Sequence, residues 1–133
     1  MHALNETHDP QLQSWVASAN DGQTDFPLQN LPFAIFRRQG SNEAFRGGVA
    51  IGDQIVDMAA AVKAGVFTGD ALEAAQAAAE PTLNHLMGLG PQRLSHLRKQ
   101  LSKELQAGSL QEAALKACLV PQAQAEYALP ARI

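Results

Sequence analysis

Four histidines, one cysteine and a scatter of carboxylates are the side chains with which this chain could do acid–base, nucleophilic or metal chemistry. His85 and His96 fall on separate predicted helices, and neither has a Cys or His three or four residues away. The spacing that brings two zinc ligands to one helical face is therefore missing. Imidazole serves equally well as a surface group or a satisfied core group, and both histidines are read that way. His2 and His8 stand in a polar N-terminal run. Cys118, late in a predicted helix, has no nucleophile motif around it and is expected as a small buried hydrophobe. Asp53 and Asp57 flank Ile55 with no histidine near in sequence to complete an acid–base pair, so both read as structural. No catalytic, cofactor-binding or metal-ligating residue is assigned.

Phosphate and nucleic-acid chemistry fare no better. Gly88-Leu89-Gly90-Pro91 lacks the spacing and the Lys-Ser/Thr ending of a phosphate loop, and Pro91 removes a backbone donor such a site would need, so it reads as a link between helices. Gly47-Gly48 precedes a strand instead of following one, which is the wrong order for a dinucleotide fingerprint. Arg93, Arg98, Lys99 and Lys103 form a basic stripe, but Glu104 accompanies them and no aromatic is interleaved, so a solvated helix face is expected.

The elements that would position these residues follow from period and punctuation. Phe33 to Arg38 is aromatic and β-branched in part, follows Pro32 and stops at Gln39-Gly40, which predicts a strand. Arg46 to Ile51 and Gln54 to Met58 enclose Gly52-Asp53, a hairpin signal because glycine accepts the positive φ of such a turn. An alanine-rich helix over Ala59 to Ala64 should stop at Gly65. Asp70 with Glu73 and Ser109 with Glu112 have capping-box spacing, predicting helices over Ala71 to Ala79 and from Ser109 to about Leu119. A short helix is expected over Thr82 to Met87. A long one is expected over Pro91 to Ala107, with Leu94, Leu97, Leu101 and Leu105 as its apolar stripe. Pro121 ends the last helix, and Ala123 to Ile133 reads as an extended tail. Residues 1–24 are expected as a poorly ordered or loosely docked segment, with Leu12, Trp15, Val16 and Ala19 on one side of a helical turn and the tryptophan as anchor.

Length and composition bound the rest. A chain of 133 residues, 46% apolar and 17% charged, is one globular domain with a single core. Ten basic against thirteen acidic side chains, a net charge of −3, supply no field to draw nucleic acid or an anionic membrane, so neither partner is expected. One cysteine fits a reducing cytoplasm, and the acidic N-terminus carries no apolar run of the signal-peptide kind.

The order of motifs resembles one family. Ser14-Trp15-Val16, the run Asp25-Phe26-Pro27-Leu28-Gln29-Asn30-Leu31-Pro32-Phe33, the hairpin Gly48 to Asp57, the Phe67-Thr68-Gly69 triplet, and Pro81-Thr82-Leu83-Asn84 with Met87-Gly88-Leu89-Gly90 are similar to blocks of the N-terminal domain of fumarylacetoacetases. Ala34 stands where that family usually has glycine, and Ala71 to Ala79 replace more varied sequence. The resemblance implies an α+β fold: a small SH3-like β-barrel with several attached helices in the C-terminal half, spanning residues 25–133. It implies hydrolysis of 4-fumarylacetoacetate to fumarate and acetoacetate, in tyrosine and phenylalanine catabolism, by a C-terminal catalytic domain. That domain would follow a Leu-Pro-Ala-x-Ile stretch like Leu129 to Ile133. It would carry the His–carboxylate pair and a divalent cation, Mg or Ca, while this chain alone would be inactive. The implied partners are that catalytic domain and a second copy in a homodimer. The alternative reading is a free-standing SH3-like interaction module without enzyme activity.

Overall fold

The computed structural model describes residues 13–21, 24 and 26–128. The fold is α+β: a five-stranded antiparallel sheet in the order β4-β3-β2-β1-β5 with helices packed on one face. The first three strands are β1 (Phe33–Arg38), β2 (Arg46–Ile51) and β3 (Gln54–Asp57). Strand β1 has the bounds its composition predicts, and β2 and β3 form the predicted hairpin in the register Ile51↔Gln54 to Gly48↔Asp57. Gly52 takes a φ of 55° in its turn, and a Cβ there would stand 2.2 Å from Ser18 Oγ, so both the turn and the neighbouring segment require glycine.

The two remaining strands overturn the expected C-terminus. Helix α5 is Glu112–Lys116, and Leu119–Pro121 is strand β4, paired with β3, where helix was expected to run to about Leu119. Within the expected extended tail, Gln122–Gln124 is a 3-10 turn and Ala125–Ala128 is strand β5, paired with β1. Residues 129–133 lie outside the described residues. Three- and four-residue strands carry too few side chains for a period to show; pairing with β3 and β1 defines them.

That short connection dictates the shape of the sheet. β4 lies at one edge and β5 at the other, yet only residues 122–124 separate them. Four residue steps of extended chain reach ~14 Å, whereas the edges of a flat five-stranded sheet stand ~19 Å apart. The sheet must therefore curl. The turn touches both ends of the curl: Gln122 N donates to Asp53 O (2.9 Å) and Gln39 N donates to Gln124 O (2.8 Å). Phe36, Ile55, Val120 and Ala125, from β1, β3, β4 and β5, meet as a small cluster on the concave side. Their neighbours Ile35, Val49, Ile51 and Val56 point the other way into the main core beneath the helices.

The helices are α1 (Met58–Lys63), α2 (Gly69–Ala78), α3 (Asn84–Gly88) and α4 (Pro91–Leu105). Asp57 caps α1, accepting from Ala59 N and Ala60 N, and Gly65 stops it as expected, with a φ of 76°. Neither capping box forms. Helix α2 begins at Gly69 with Thr68 as its extended N-cap, so Asp70 falls inside the first turn, where its charge meets the helix dipole. The Ser109 hydroxyl donates to Glu104 Oε1 and accepts from Gln111 N, which leaves α5 without a side-chain cap. Helix α3 starts two residues later than predicted. Leu97, Leu101 and Leu105 of α4 are fully buried, and Leu94 is half-buried.

Alanines 71, 74, 75, 77 and 78 bury one side of α2 and let it lie close to β2. At Gly47 a Cβ would stand 1.5 Å from the Ala78 carbonyl oxygen, so this strand position has room for no side chain. In the N-terminal segment, Trp15 Nε1 donates to Glu104 O (2.9 Å) and Ala107 N donates to Gln13 O (2.8 Å). Val16 and Ala19 are buried, and Ala17–Asn20 is a 3-10 turn. The rest of the segment expected to dock loosely, residues 1–12, 22 and 23, lies outside the described residues. Among the described residues no helix is long and apolar enough to cross a membrane.

Candidate functional site

The densest set of charges gathers where β2 begins and β3 ends, on the concave face of the sheet. Arg46 lays its guanidinium over the Phe36 ring, 4.7 Å from the centroid. Its Nε and Nη2 donate to Asp57 Oδ2 at 3.1 and 2.8 Å, and its Nη1 donates to Glu43 Oε1 at 3.0 Å. Glu43 Oε2 accepts from Arg38 Nη1 at 2.9 Å, and Asp57 Oδ1 is spent on capping α1. Burial works against the charge on Arg46, but its hydrogen bonds to Asp57 and Glu43 outweigh it and hold the guanidinium pKa above its ordinary value. The hydrogen bond from Arg46, followed by the Arg38 backbone N–H, holds the Glu43 carboxyl down to about 2. Beside this cluster Arg37 covers the Phe45 ring at 4.4 Å and pairs with Glu126. The charges are matched, so the arrangement acts as a clasp between strands and helix and presents no unpaired base or nucleophile. Sequence reasoning passed over it. Its visible sign was an Asp immediately before an alanine-rich helix, the composition of an N-cap.

The residues singled out for chemistry are not brought together. Asp53 sits in the exposed hairpin turn and accepts from Ser18 Oγ (2.7 Å) and Gln54 Nε2 (2.9 Å). The Gln54 bond, then the Ser18 bond, lowers its pKa. Asp57 lies at the other end of β3, so both aspartates hold backbone geometry. His85 Nδ1 lies 2.6 Å from Glu80 Oε2 on the surface, and His96 Nε2 lies 4.0 Å from Asp70 Oδ2. Cys118 is buried and donates to Ala114 O (3.3 Å); burial, then the charge of Asp57, pushes its thiol pKa up, the direction that quenches nucleophilicity. Gly88 ends α3 and Gly90 precedes α4, the inter-helix link expected.

The solvated basic stripe fails at Arg98. That side chain is half-buried, lies over the Phe33 ring at 5.0 Å and donates to Leu31 O at 2.9 Å, and its burial lowers its pKa. Arg93 pairs with Glu73 at 3.2 Å. Lys99 and Lys103 are exposed, as expected. Among the described residues no group of three or more His, Cys, Asp or Glu side chains could hold a metal ion.

A structural clasp in a curled sheet leaves function open, and comparison with known proteins narrows it. Residues 29–130 match the family model for the fumarylacetoacetase N-terminal domain. The chain belongs to that family. It is 42% identical over 125 residues to a fumarylacetoacetase of Oryza sativa subsp. japonica, covering 90% of this chain and 29% of the relative. It is 38% identical over 125 residues to that of Homo sapiens, with the same coverages. Against that of Mus musculus it is 45% identical over 95 residues, 71% of this chain and 22% of the relative. The chain thus spans less than a third of the length of these fumarylacetoacetases. The Arg46 clasp, the Gly52-Asp53 turn and the Phe67-Thr68-Gly69 triplet all fall inside the matched span.

Proposed function

We propose that these residues form the N-terminal, non-catalytic domain of a fumarylacetoacetase, which hydrolyses 4-fumarylacetoacetate to fumarate and acetoacetate in tyrosine and phenylalanine breakdown. The observation that carries the reading is the family match over residues 29–130, combined with a chain that spans 29% of its relatives in rice and human. The reaction itself belongs to the remaining length. There a divalent cation, Mg or Ca, would bind the substrate oxygens, and a His–carboxylate pair would activate water. The described residues do not fit that cation, since no cluster of ligating side chains forms among them. This domain packs against the catalytic one and supports it within a cytoplasmic homodimer.

The architecture proposed is an SH3-like barrel. Support comes from a five-stranded curl whose last two strands are joined by a 3-10 turn spanning its edges. The test is an assay of fumarylacetoacetate cleavage with the 133-residue chain alone, beside a full-length enzyme containing it and a version lacking residues 1–125. No turnover by the chain, with reduced activity or lower thermal stability of the truncated enzyme, is expected. Turnover by the chain alone would refute its non-catalytic assignment, and unchanged kinetics and stability of the truncated enzyme would refute the supporting role.

A further inference from the structure

A polar groove runs between the start of α2 and α4, and none of the residues of the Arg46 clasp lines it. Its walls carry Thr68 and Asp70 on one side and His96, Lys99 and Lys103 on the other, and Ser102 lines its floor. Three features of this groove are unspent. Helix α2 is ten residues long and has no side-chain cap, so the amides of its first turn have no intrahelical acceptor. Its N-cap amide, Thr68 N, is already taken by Gln100 Oε1 at 3.3 Å. Lys99 and Lys103 stand one turn apart on α4 and form no ion pair among the described residues. Ser102, 1% exposed, buries its hydroxyl with no hydrogen-bond partner among the described residues, a state that costs a buried polar group unless something completes it.

One carboxylate opposes an anion here: Asp70, in the first turn of α2, whose Oδ2 lies 4.0 Å from His96 Nε2. Two lysines and the positive end of a helix outweigh it. We propose that this groove binds a small oxyanion, carboxylate or phosphate, held by the first-turn amides of α2, the Lys99 and Lys103 ammonium groups and the Ser102 hydroxyl. The Phe67-Thr68-Gly69 triplet then has work beyond folding. Gly69 supplies the φ of 60° at which the chain enters α2, and a Cβ there would meet nothing within 4 Å, so backbone conformation and not crowding calls for glycine.

The test is an amide NMR titration of the 133-residue chain with inorganic phosphate and, separately, with acetate, at ionic strength held constant with chloride. Saturable shifts confined to Gly69, Asp70, Ala71 and the Ser102 region are expected with at least one of them, and the anion that saturates names the ligand chemistry. The double variant Lys99→Gln, Lys103→Gln should weaken that binding about tenfold or more. Because both lysines are exposed, the variant keeps the fold, which the unperturbed remainder of the spectrum verifies. Shifts with neither anion beyond those of chloride, or a titration indifferent to the lysine substitutions, would overturn the proposal.

Discussion

Asp57 shows how one side chain can hold two layers of a fold. One carboxylate oxygen caps α1 and the other receives Arg46, so the aspartate joins the concave face of the sheet to the helix above it. Losing the cap costs about 1 kcal/mol. Stranding a partly buried guanidinium costs about 3 kcal/mol, nearer the low end of such losses because Glu43 still holds it. Asp57→Ala should therefore lower unfolding free energy by about 3–4 kcal/mol, with Asp57→Asn recovering about 1 kcal/mol through its capping oxygen. Urea denaturation of the two variants checks the order; equal losses would show that the cap contributes nothing. Glu43 makes the same clasp sensitive to acid. Its carboxyl titrates at about 2 when folded, against 4.5 ordinarily, because Arg46 and then the Arg38 N–H stabilise the anion. A depressed folded pKa gives stability that is complete above the ordinary value and drains away as pH falls toward the folded one. The urea midpoint should therefore fall between pH 4.5 and about 2, and Glu43→Gln should flatten part of that slope. Asp53, shifted in the same direction, leaves a residual slope in the variant. Parallel slopes in both proteins would remove Glu43 from the account.

Among the elements, β2 is the most constrained, because it is buried on both faces. Its consecutive glycines serve opposite sides. A Cβ at Gly48 would press on Phe36 and Ile55 in the concave cluster, at 2.6 and 2.5 Å, and one at Gly47 would collide with the α2 backbone. Side chains can rotate away, whereas a helix carbonyl cannot without moving the helix. Gly47→Ala is expected to cost more than about 3 kcal/mol, beyond ordinary overpacking, and to exceed the loss in Gly48→Ala. Thermal unfolding of the pair would reveal a reversed ranking. The local signals that survived into the structure were those with enough residues to show a period or an unambiguous turn. The leucine stripe of α4, the β2–β3 hairpin and the bounds of β1 are of that kind. The capping boxes did not survive, because a serine or aspartate hydrogen-bonds whichever partner tertiary packing brings nearest. Ser109 is turned toward Glu104, and the start of α2 is held at Thr68 by Gln100.

At the scale of the whole molecule, closure of the curl depends on the last few described residues. β4 and β5 supply both edges of the sheet and two of the four residues of its concave cluster, Val120 and Ala125. A chain ended at Cys118 would expose the outer edges of β3 and β1 and empty half of that cluster. It should lose its cooperative unfolding transition, as followed by calorimetry. A normal transition in that truncation would mean that the helices and the three remaining strands suffice. The amino-acid order was enough to specify the order of strands and helices from β1 to α4, the hairpin with its glycine and the amphipathic long helix. Those are local properties, written in spacing and in backbone preference. Which short segments became strands, which arginine went inside and where the charges met depended on residues distant in sequence arriving side by side. Leu119–Pro121 pairs with β3 and Ala125–Ala128 with β1 only because the sheet curls, and Arg98 is half-buried only because Phe33 and the Leu31 carbonyl lie beneath it. Such contacts are energetic consequences of assembly, and no single stretch of the chain contains them.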